Sequence, residues 1–386
     1  MSHRWPLHPA ATPGEALTSW LRRIADRYGL SIDVLALDLG YSLDRDTDLD
    51  FVPPVGFVER LAVRTGVHAD AIRAMSLIGF VPWLMDDLEP DPEAFIVYTR
   101  QLSILLPHGQ RAAREVGPWR PWIPAKPHPR QRTCPTCIAE SSSPHSYQLM
   151  WWLPLMLTCP VHHCLLETHK GTRWYSFEWQ EQSLVSRPAN TAIRVMDART
   201  WQALTTGYVD LPRRRVHAGI WFRLLRTLID ELGATLTESG AAHRLTREVW
   251  ERTGHPVRAG QLHWRPYEKL SLEHQHHTLE AAATAIQLLE NETLTGQGNQ
   301  APLFLPPPDE TFDPGRPRRA TDPVPAQKKG MMELLDEAVE AARHDPKAAQ
   351  QLFAMTTLGY RADEDRRQQI LESFDKLGIP REFLSH

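Results

Sequence analysis

Apolar residues recur at helical spacing along most of the chain, and this pattern predicts a mainly α-helical protein. Leu17, Leu21 and Ile24 fall on one face of the first predicted helix. Thr12 and Glu15 form a capping-box pattern just before this face, so we expect Thr12 to cap the helix and Pro13 to lie in its first turn. Amphipathic spacing later in the chain predicts further helices over residues 213–232, with Ile220 on the apolar face, and over 241–252 and 271–290.

Two short helices separated by a turn that contains Gly66 are predicted within residues 56–77. This order is the helix-turn-helix pattern, in which the second helix normally reads DNA. The side chains expected to be exposed on that helix are His68, Asp70, Arg73 and Ser76. Because this set is nearly neutral, a helical protein-contact module explains the pattern at least as well as DNA reading does.

Alternating aspartates occupy residues 41–53, and they suggest a calcium-binding loop. The four residues are Asp44, Asp46, Asp48 and Asp50. The stretch lacks the glycine and the distal glutamate of an EF-hand loop. A solvated acidic loop is therefore the better interpretation.

Two basic stretches are candidates for contact with nucleic acid. The first combines tryptophans and prolines with Arg111, Arg114, Arg120, Lys126, Arg130 and Arg132. Interleaved basic and aromatic residues are typical of a surface that follows a phosphate backbone, but also of a solvated face that packs its indoles inward. Both interpretations stay open at this point. The second stretch, the arginine triplet at 213–215, is either a phosphate or acidic-partner contact or a solvated helix start.

Composition and charge narrow the classes of function. The 386 residues carry a formal net charge of −4, so no overall field attracts the chain to nucleic acid. The sequence shows no apolar run long enough to span a membrane and no apolar signal-peptide core. It also lacks a phosphate-binding glycine loop, a zinc-protease helix motif and a nucleophile elbow, so we expect a protein that is not an enzyme.

Three of the four cysteines fall in two short motifs, Cys134-Pro-Thr-Cys137 and Cys159-Pro-Val-His162. In each motif the two ligands lie three residues apart, a spacing that lets one tight turn hold one metal ion. Together the motifs supply all four ligands of a tetrahedral Zn2+ and leave no position for water, so we expect one structural zinc site. Cysteines that bind a metal ion instead of forming disulfides also indicate a reducing compartment, the cytoplasm.

Neighbouring residues leave alternatives to this ligand set. Two unrelated buried cysteine pairs would give the same composition, although two matching spacings rarely arise by chance. His163 competes with His162, which we prefer because it completes the two-residue spacing. Cys164 and His169 are too few for a second site, and we expect a buried thiol and a surface histidine.

The loop between the two motifs is strongly apolar from Tyr147 to Leu157. A small metal site has little core of its own. We therefore expect this segment to dock the zinc module onto neighbouring helices.

The patterns together predict five parts of the chain. They are a helical N-terminal module with a helix-turn-helix (1–110), a central zinc-ribbon module (111–212), a helical domain (213–295), a linker (296–327) and a tethered helical tail (328–386). The linker prediction rests on a composition rich in Gly, Pro and Asn, which cannot bury a core.

The motifs resemble the TniQ family over roughly residues 5–290. The resemblance rests on Leu7-His-Pro9, Gly14-Glu-Ala-Leu-Thr-Ser-Trp-Leu21, the two metal motifs, Trp151-Trp152, Leu165-Leu166 and, more weakly, Arg265-Pro-Tyr267-Glu-Lys-Leu270. By this resemblance Cys134, Cys137, Cys159 and His162 carry over as metal ligands. Where family members have a further cysteine cluster, this chain has only Cys164.

The resemblance implies a target-selection adaptor of a cut-and-paste transposon. Family members engage an AAA+ regulator ATPase, which recruits the transposase. Some bind specific DNA sites, and others form head-to-tail dimers on an RNA-guided CRISPR effector complex, so a homodimer and target DNA are expected partners. The alternative is a sequence-specific DNA-binding regulator with a structural zinc site. A nuclease built on scattered carboxylates is a third class, for which the sequence carries no motif.

Overall fold

A computed structural model describes residues 4–44, 47–89, 91–114, 116–117, 119–123, 132–141, 145–168, 185–258, 264–307, 339–357 and 364–384. The chain divides into two compact units, Met1–Asp309 and Glu310–His386. The described residues are mainly α-helical, as the apolar spacing predicts. None of the described helices is both long and apolar enough to cross a membrane.

Four helices and one apolar core make up the N-terminal part. The helices are α1 (Leu17–Tyr28), α2 (Ile32–Asp38), α3 (Phe57–Thr65) and α4 (Ala69–Arg73). The core includes Trp20, Ile24, Phe57, Leu61 and Ile72. Gly66 ends α3 in the left-handed conformation that a glycine adopts without strain. The order helix, turn, helix agrees with the sequence pattern, although α4 has only 5 residues; a DNA-binding role for it stays a prediction.

The first helix begins at Leu17 and is capped at Ala16, so the prediction of Thr12 as its N-cap is wrong. The expected capping-box bond exists, since the Thr12 amide donates to Glu15 Oε2 at 2.9 Å, but it closes a turn ahead of the helix. The residue at the actual N-cap is Ala16, which has no acceptor. Asp50 supplies one instead, accepting from the Thr18 amide at 2.6 Å. Asp50 is fully buried, so the acidic loop is not wholly solvated.

The rest of the first unit contains seven helices and two small antiparallel sheets among its described residues. The helices are α5 (Ala94–Arg100), α6 (Pro135–Glu140), α7 (Thr191–Thr206), α8 (Ala218–Leu232), α9 (Leu236–Ser239), α10 (His243–Thr253) and α11 (Leu272–Glu290). In the first sheet β1 (Arg132–Thr133) pairs with β2 (Glu167–Thr168). In the second, β3 (Tyr208–Asp210) pairs with β4 (Arg215–His217).

Helix α8 lies at the centre of the large core and is buried on almost every side. Trp221, Phe222 and Leu228 are fully buried in it, and so are the charged residues Arg226 and Glu231. The predicted helix over 213–232 therefore starts five residues late, because residues 215–217 form a strand instead. Ile220, expected on the apolar face, is 38% exposed.

The beginning of the predicted linker belongs to this core. The amides of Gln297 and Gly298 donate to the carbonyls of Leu105 and Ile104, and Phe304 is buried. A Cβ at Gly298 would lie 2.2 Å from the Ser103 carbonyl carbon, so only glycine permits this backbone approach. Residues 308–327 of the predicted linker lie outside the described residues.

The second unit is a small helical assembly. Its described helices are α12 (339–344), α13 (Pro346–Thr357) and α14 (Glu364–Lys376). Ala342, Ala349, Phe374, Ile379 and Leu384 form its core. These helices coincide with the apolar spacing that predicts a helical tail.

Candidate metal centre

The first cysteine pair lies at the start of a helix. Cys134 follows β1 and is the N-cap of α6, where its sulfur accepts from the Cys137 amide at 3.3 Å. Pro135 occupies the first helical turn, where a residue without an amide hydrogen costs nothing. The two-residue spacing thus places both sulfurs on the same end of one helical turn.

The second pair lies in a tight turn between Leu157 and Leu166. The Leu166 amide donates to the Leu157 carbonyl at 2.8 Å, and the Cys159 amide donates to the Cys164 carbonyl at 2.9 Å. His163 takes a left-handed backbone conformation, with φ of 52°, and its side chain is exposed. The turn directs His162, and not His163, toward the sulfurs.

Four side chains converge to form a compact cluster, and they are those that the sequence predicts: Cys134, Cys137, Cys159 and His162. Their ligand atoms all lie within 4.8 Å of one another. The Cys137 and Cys159 sulfurs are 3.7 Å apart. From His162 Nδ1 the distances to the sulfurs of Cys134, Cys137 and Cys159 are 3.4, 3.2 and 3.7 Å.

These distances are those of a tetrahedron built around one small cation. With metal–sulfur bonds of about 2.3 Å and metal–nitrogen bonds of about 2.0 Å, the expected separations are about 3.8 Å between sulfurs and about 3.5 Å between sulfur and nitrogen. Three thiol sulfurs and one imidazole are also the donor set that suits Zn2+. The arrangement therefore fits a metal ion with four protein ligands.

Hydrogen bonding within the cluster acts on its thiols in opposite directions: it lowers the pKa of Cys159 and raises the pKa of Cys137. Hydrogen bonds from the thiols of Cys134 and Cys137 lower the pKa of Cys159, and the backbone amides of His162 and Val161 act in the same direction. Since metals bind the thiolate, this lowering prepares Cys159 as a ligand.

Two further side chains surround the cluster without joining it. His162 Nε2 lies 3.1 Å from Glu140 Oε2, so the ring can donate to the carboxylate while Nδ1 faces the sulfurs. The buried Cys164 sulfur is 3.5 Å from that of Cys134. Cys164 is thus a buried thiol, as expected, whereas His169 lies outside the described residues.

Two buried charged residues hold the surrounding chain. Asp197 on α7 accepts from the amides of Leu157 and Thr158 at 2.8 and 2.7 Å, and from the Thr158 hydroxyl. Burial raises the pKa of Asp197 to about 7. Arg132 donates from all three guanidinium nitrogens to the carbonyls of Trp151, Leu153 and Met156. Asp197 lies 40 residues after Leu157, so no local sequence pattern could have predicted this contact.

The apolar segment between the motifs has the docking role predicted for it. Tyr147 and Trp151 pack in one cluster with Cys134 and Cys159. Leu149, Leu153 and Leu157 join the large core instead. The segment also bonds to the start of the chain, since the Leu149 amide donates to the Gly14 carbonyl at 2.9 Å.

The helix that would read DNA offers little positive charge. His68 at the N-cap of α4 and Asp70 in its first turn are exposed, but Ser76, which was expected to be exposed on this helix, lies beyond its end and is fully buried. The Arg73 guanidinium pairs with Glu59 at 2.6 Å and with Asp70 at 2.7 Å. Its charge is thus already neutralised within the protein.

The described arginines of residues 111–132 point into the protein, which argues against a surface that follows a phosphate backbone. The second interpretation is right about the inward indoles but wrong about a solvated basic face. Arg111 pairs with Asp230 at 2.8 Å, and Arg114 pairs with Glu238. Arg120 donates to the Leu88 carbonyl at 2.6 Å. Trp119 and Trp122 are buried beside them. Lys126 and Arg130 lie outside the described residues.

The arginine triplet remains on the surface. Arg213, Arg214 and Arg215 are all exposed. Arg215 pairs with Asp210 at 2.7 Å, and Arg213 donates to the Pro306 carbonyl at 3.3 Å. Arg215 is the first residue of the strand β4, and α8 begins directly after that strand. The triplet is therefore not the start of the helix.

Comparison with known proteins identifies one family. Residues 6–166, which include both cysteine motifs, match the model of the TniQ family. Neither a curated protein nor a solved structure matches the chain.

Proposed function

We propose that this chain, whose residues 6–166 are a TniQ-family region, is a target-selection adaptor for DNA transposition with one structural Zn2+. The observation that carries the proposal is the four-ligand cluster within that region. Because protein side chains fill all four tetrahedral positions, the metal would have no open position for substrate or water. The ion would therefore shape the protein and would not act in catalysis.

The partners follow from the family. Proteins of this family link a target-DNA complex to an AAA+ regulator ATPase, and through it to the transposase. We propose the same bridging role for this chain, as a homodimer, with target DNA reached either directly or through an RNA-guided CRISPR effector complex.

The side-chain contacts of α4 and of residues 111–132 favour bridging over direct DNA reading, whereas the exposed triplet at 213–215 does not discriminate between the two. Non-specific attraction to DNA requires arginines and lysines that are free to neutralise phosphates. Arg73 on α4 is paired with two acidic residues. Arg111 and Arg132 are buried and bonded internally. The guanidinium groups of these residues are already bonded within the protein, so we do not expect them to neutralise a phosphate backbone.

A co-elution experiment tests the proposal. The purified chain is run with its cognate AAA+ regulator by size-exclusion chromatography, with and without duplex DNA. We expect a shared peak that is retained by Cys164→Ser and lost by Cys134→Ser. Separate elution of the parent protein under both conditions would refute the adaptor role.

A salt titration of DNA binding discriminates the alternative, a sequence-specific DNA-binding regulator. An adaptor without a reading helix should bind free duplex weakly and without preference for sequence. A steep negative salt slope with a sequence preference would favour the regulator instead. Cleavage of DNA on addition of Mg2+ or Mn2+ would favour a nuclease.

A further inference from the structure

A second candidate site lies in the first unit, outside the TniQ-family region. A cavity of about 570 Å3 is lined by residues of α8, α10 and the start of α11, and by residues within 256–258 and 264–270. None of the four metal-cluster residues lines it. Its volume falls in the range of about 300–1,000 Å3 that is typical of small-molecule sites.

Two arginines of the lining each have a buried nitrogen with no hydrogen-bond partner in the part of the chain that the structure describes. Arg226 is fully buried, and its Nε and Nη2 donate to Glu268 at 3.0 and 3.1 Å. Its Nη1 has no hydrogen-bond partner among the described residues, and neither has the buried Nε of Arg258. Burial lowers the pKa of Arg258, although Glu273 opposes the shift. Both nitrogens are closed to solvent, so a ligand would contact the remaining atoms of the half-buried Arg258 and would not contact the fully buried Arg226.

The acidic group in the lining is already used. Asp230 accepts from Arg111 Nη1 at 2.8 Å and from Trp264 Nε1 at 3.2 Å. Arg265, an exposed lining residue, forms no ion pair with another described residue. Arg258 and Arg265 therefore give the cavity an excess of positive charge.

The remaining walls are largely apolar. Trp250, Val257, Leu270 and Ile229 line them, and the Arg258 guanidinium carbon lies 6.0 Å from the centre of the Trp250 ring. Apolar walls with a few convergent polar groups are the general pattern of sites for small organic ligands. Here the polar groups are donors and cations.

We propose that this cavity binds a small organic anion, a carboxylate or a phosphate monoester attached to an apolar or aromatic body. The oxyanion accepts from the Arg258 guanidinium and from Arg265, the two lining arginines that are not fully buried. The apolar body rests against Trp250 and Val257. This proposal does not depend on the proposed function, because every lining residue lies beyond residue 166.

Isothermal titration of the full chain tests the proposal with two anions and their neutral counterparts. The phosphate arm compares adenosine 5′-monophosphate with adenosine, and the carboxylate arm compares indole-3-carboxylate with indole. We expect at least one anion to bind with a Kd below about 1 mM, and its neutral counterpart to bind at least about tenfold more weakly. The arm that binds identifies the headgroup.

Two variants and one control connect binding to the cavity. Arg258→Gln should weaken the anion about tenfold by removing the cation. Val257→Trp should abolish binding by filling the cavity without a change in charge. Arg252→Gln, an exposed α10 residue paired with Glu248, should bind as the parent does. Each variant is first checked for an unchanged Tm without ligand, and if one variant fails to fold the other decides.

Two results would overturn the proposal. The first is that neither anion binds, or that a neutral counterpart binds as tightly as its anion. The second is that both folded cavity variants keep the parent affinity.

Discussion

Substitution of Glu268 tests the buried charge network that joins the central helices. Glu268 is 1% exposed, and its carboxylate accepts two hydrogen bonds from Arg226, one from Trp119 Nε1 and one from the Trp122 amide. Glu268→Gln keeps the shape but removes the charge. Its amide nitrogen would face donors that the carboxylate now satisfies.

The expected cost is set by the charge left behind on Arg226. Removal of one partner of a buried ion pair costs about 3–5 kcal/mol, because the other charge stays buried and uncompensated. We therefore expect Glu268→Gln to lower the free energy of unfolding by about that amount. Arg226→Met in the same chain removes the stranded charge, so the double variant should be more stable than Glu268→Gln alone.

An exposed pair with similar geometry supplies the control. Arg247 and Glu251 on α10 lie 2.8 Å apart, with side chains 60% and 52% exposed. Glu251→Gln should change the free energy of unfolding by no more than about 0.5 kcal/mol, since water screens this pair.

The assay is urea unfolding followed by tryptophan fluorescence, with the midpoint and slope fitted for each variant. Burial, and not pairing as such, should decide the size of the effect. The reasoning is refuted if Glu268→Gln lowers the free energy of unfolding no more than Glu251→Gln does. It is also refuted if the losses caused by Glu268→Gln and by Arg226→Met simply add in the double variant.

The remaining predictions concern the metal cluster and its support. Cys134→Ser should lower the Tm of the first unit and release the metal, because the free energy of metal binding contributes directly to folding. The control Cys164→Ser should retain the metal. Equal Tm values for the parent and Cys134→Ser in differential scanning calorimetry would contradict this. Glu140→Gln should weaken zinc affinity by about 10- to 100-fold in a chelator competition, since the carboxylate orients the His162 ring; an unchanged affinity would remove Glu140 from that role. The folded-state pKa of Asp197 is raised from 3.8 to about 7, so its contribution to stability is present at low pH and is lost as pH rises toward and through 7. The stability of the parent relative to Asp197→Asn should therefore fall by about 1.4 kcal/mol between about pH 6 and pH 8, and a difference that stays constant in urea unfolding at the two pH values would contradict the shift.

The convergence of the four cluster residues was predictable because its signal is local, while their role as metal ligands stays a prediction. A spacing of two residues holds both ligands of a pair on one turn, as α6 shows for Cys134 and Cys137. Helix existence was also predictable, since apolar spacing reports which face is buried. The choice of His162 over His163 followed from the same spacing, and the left-handed turn at His163 is its structural reason.

The supporting residues were not predictable because their partners lie far along the chain. Asp197 caps backbone amides about 40 residues away, and Asp50 caps α1 from a loop that its composition marks as solvated. The basic stretch was ambiguous for the same reason. Whether Arg111 faces solvent or Asp230 depends on tertiary packing, which a single sequence does not display.

The glycine content of the sequence placed the start of the predicted linker too early. Gly296 and Gly298 suggest flexibility in the sequence, but each allows a backbone approach that a Cβ would block. The first part of the predicted linker thus belongs to the core.

Elemental analysis of the purified protein tests the central claim most directly. The claim is that Cys134, Cys137, Cys159 and His162 together hold one zinc ion that shapes the TniQ-family region. The predicted result is one equivalent of zinc per chain after exhaustive dialysis, and none in a Cys134→Ser, Cys159→Ser double variant. A metal-free, fully folded parent protein would contradict the account.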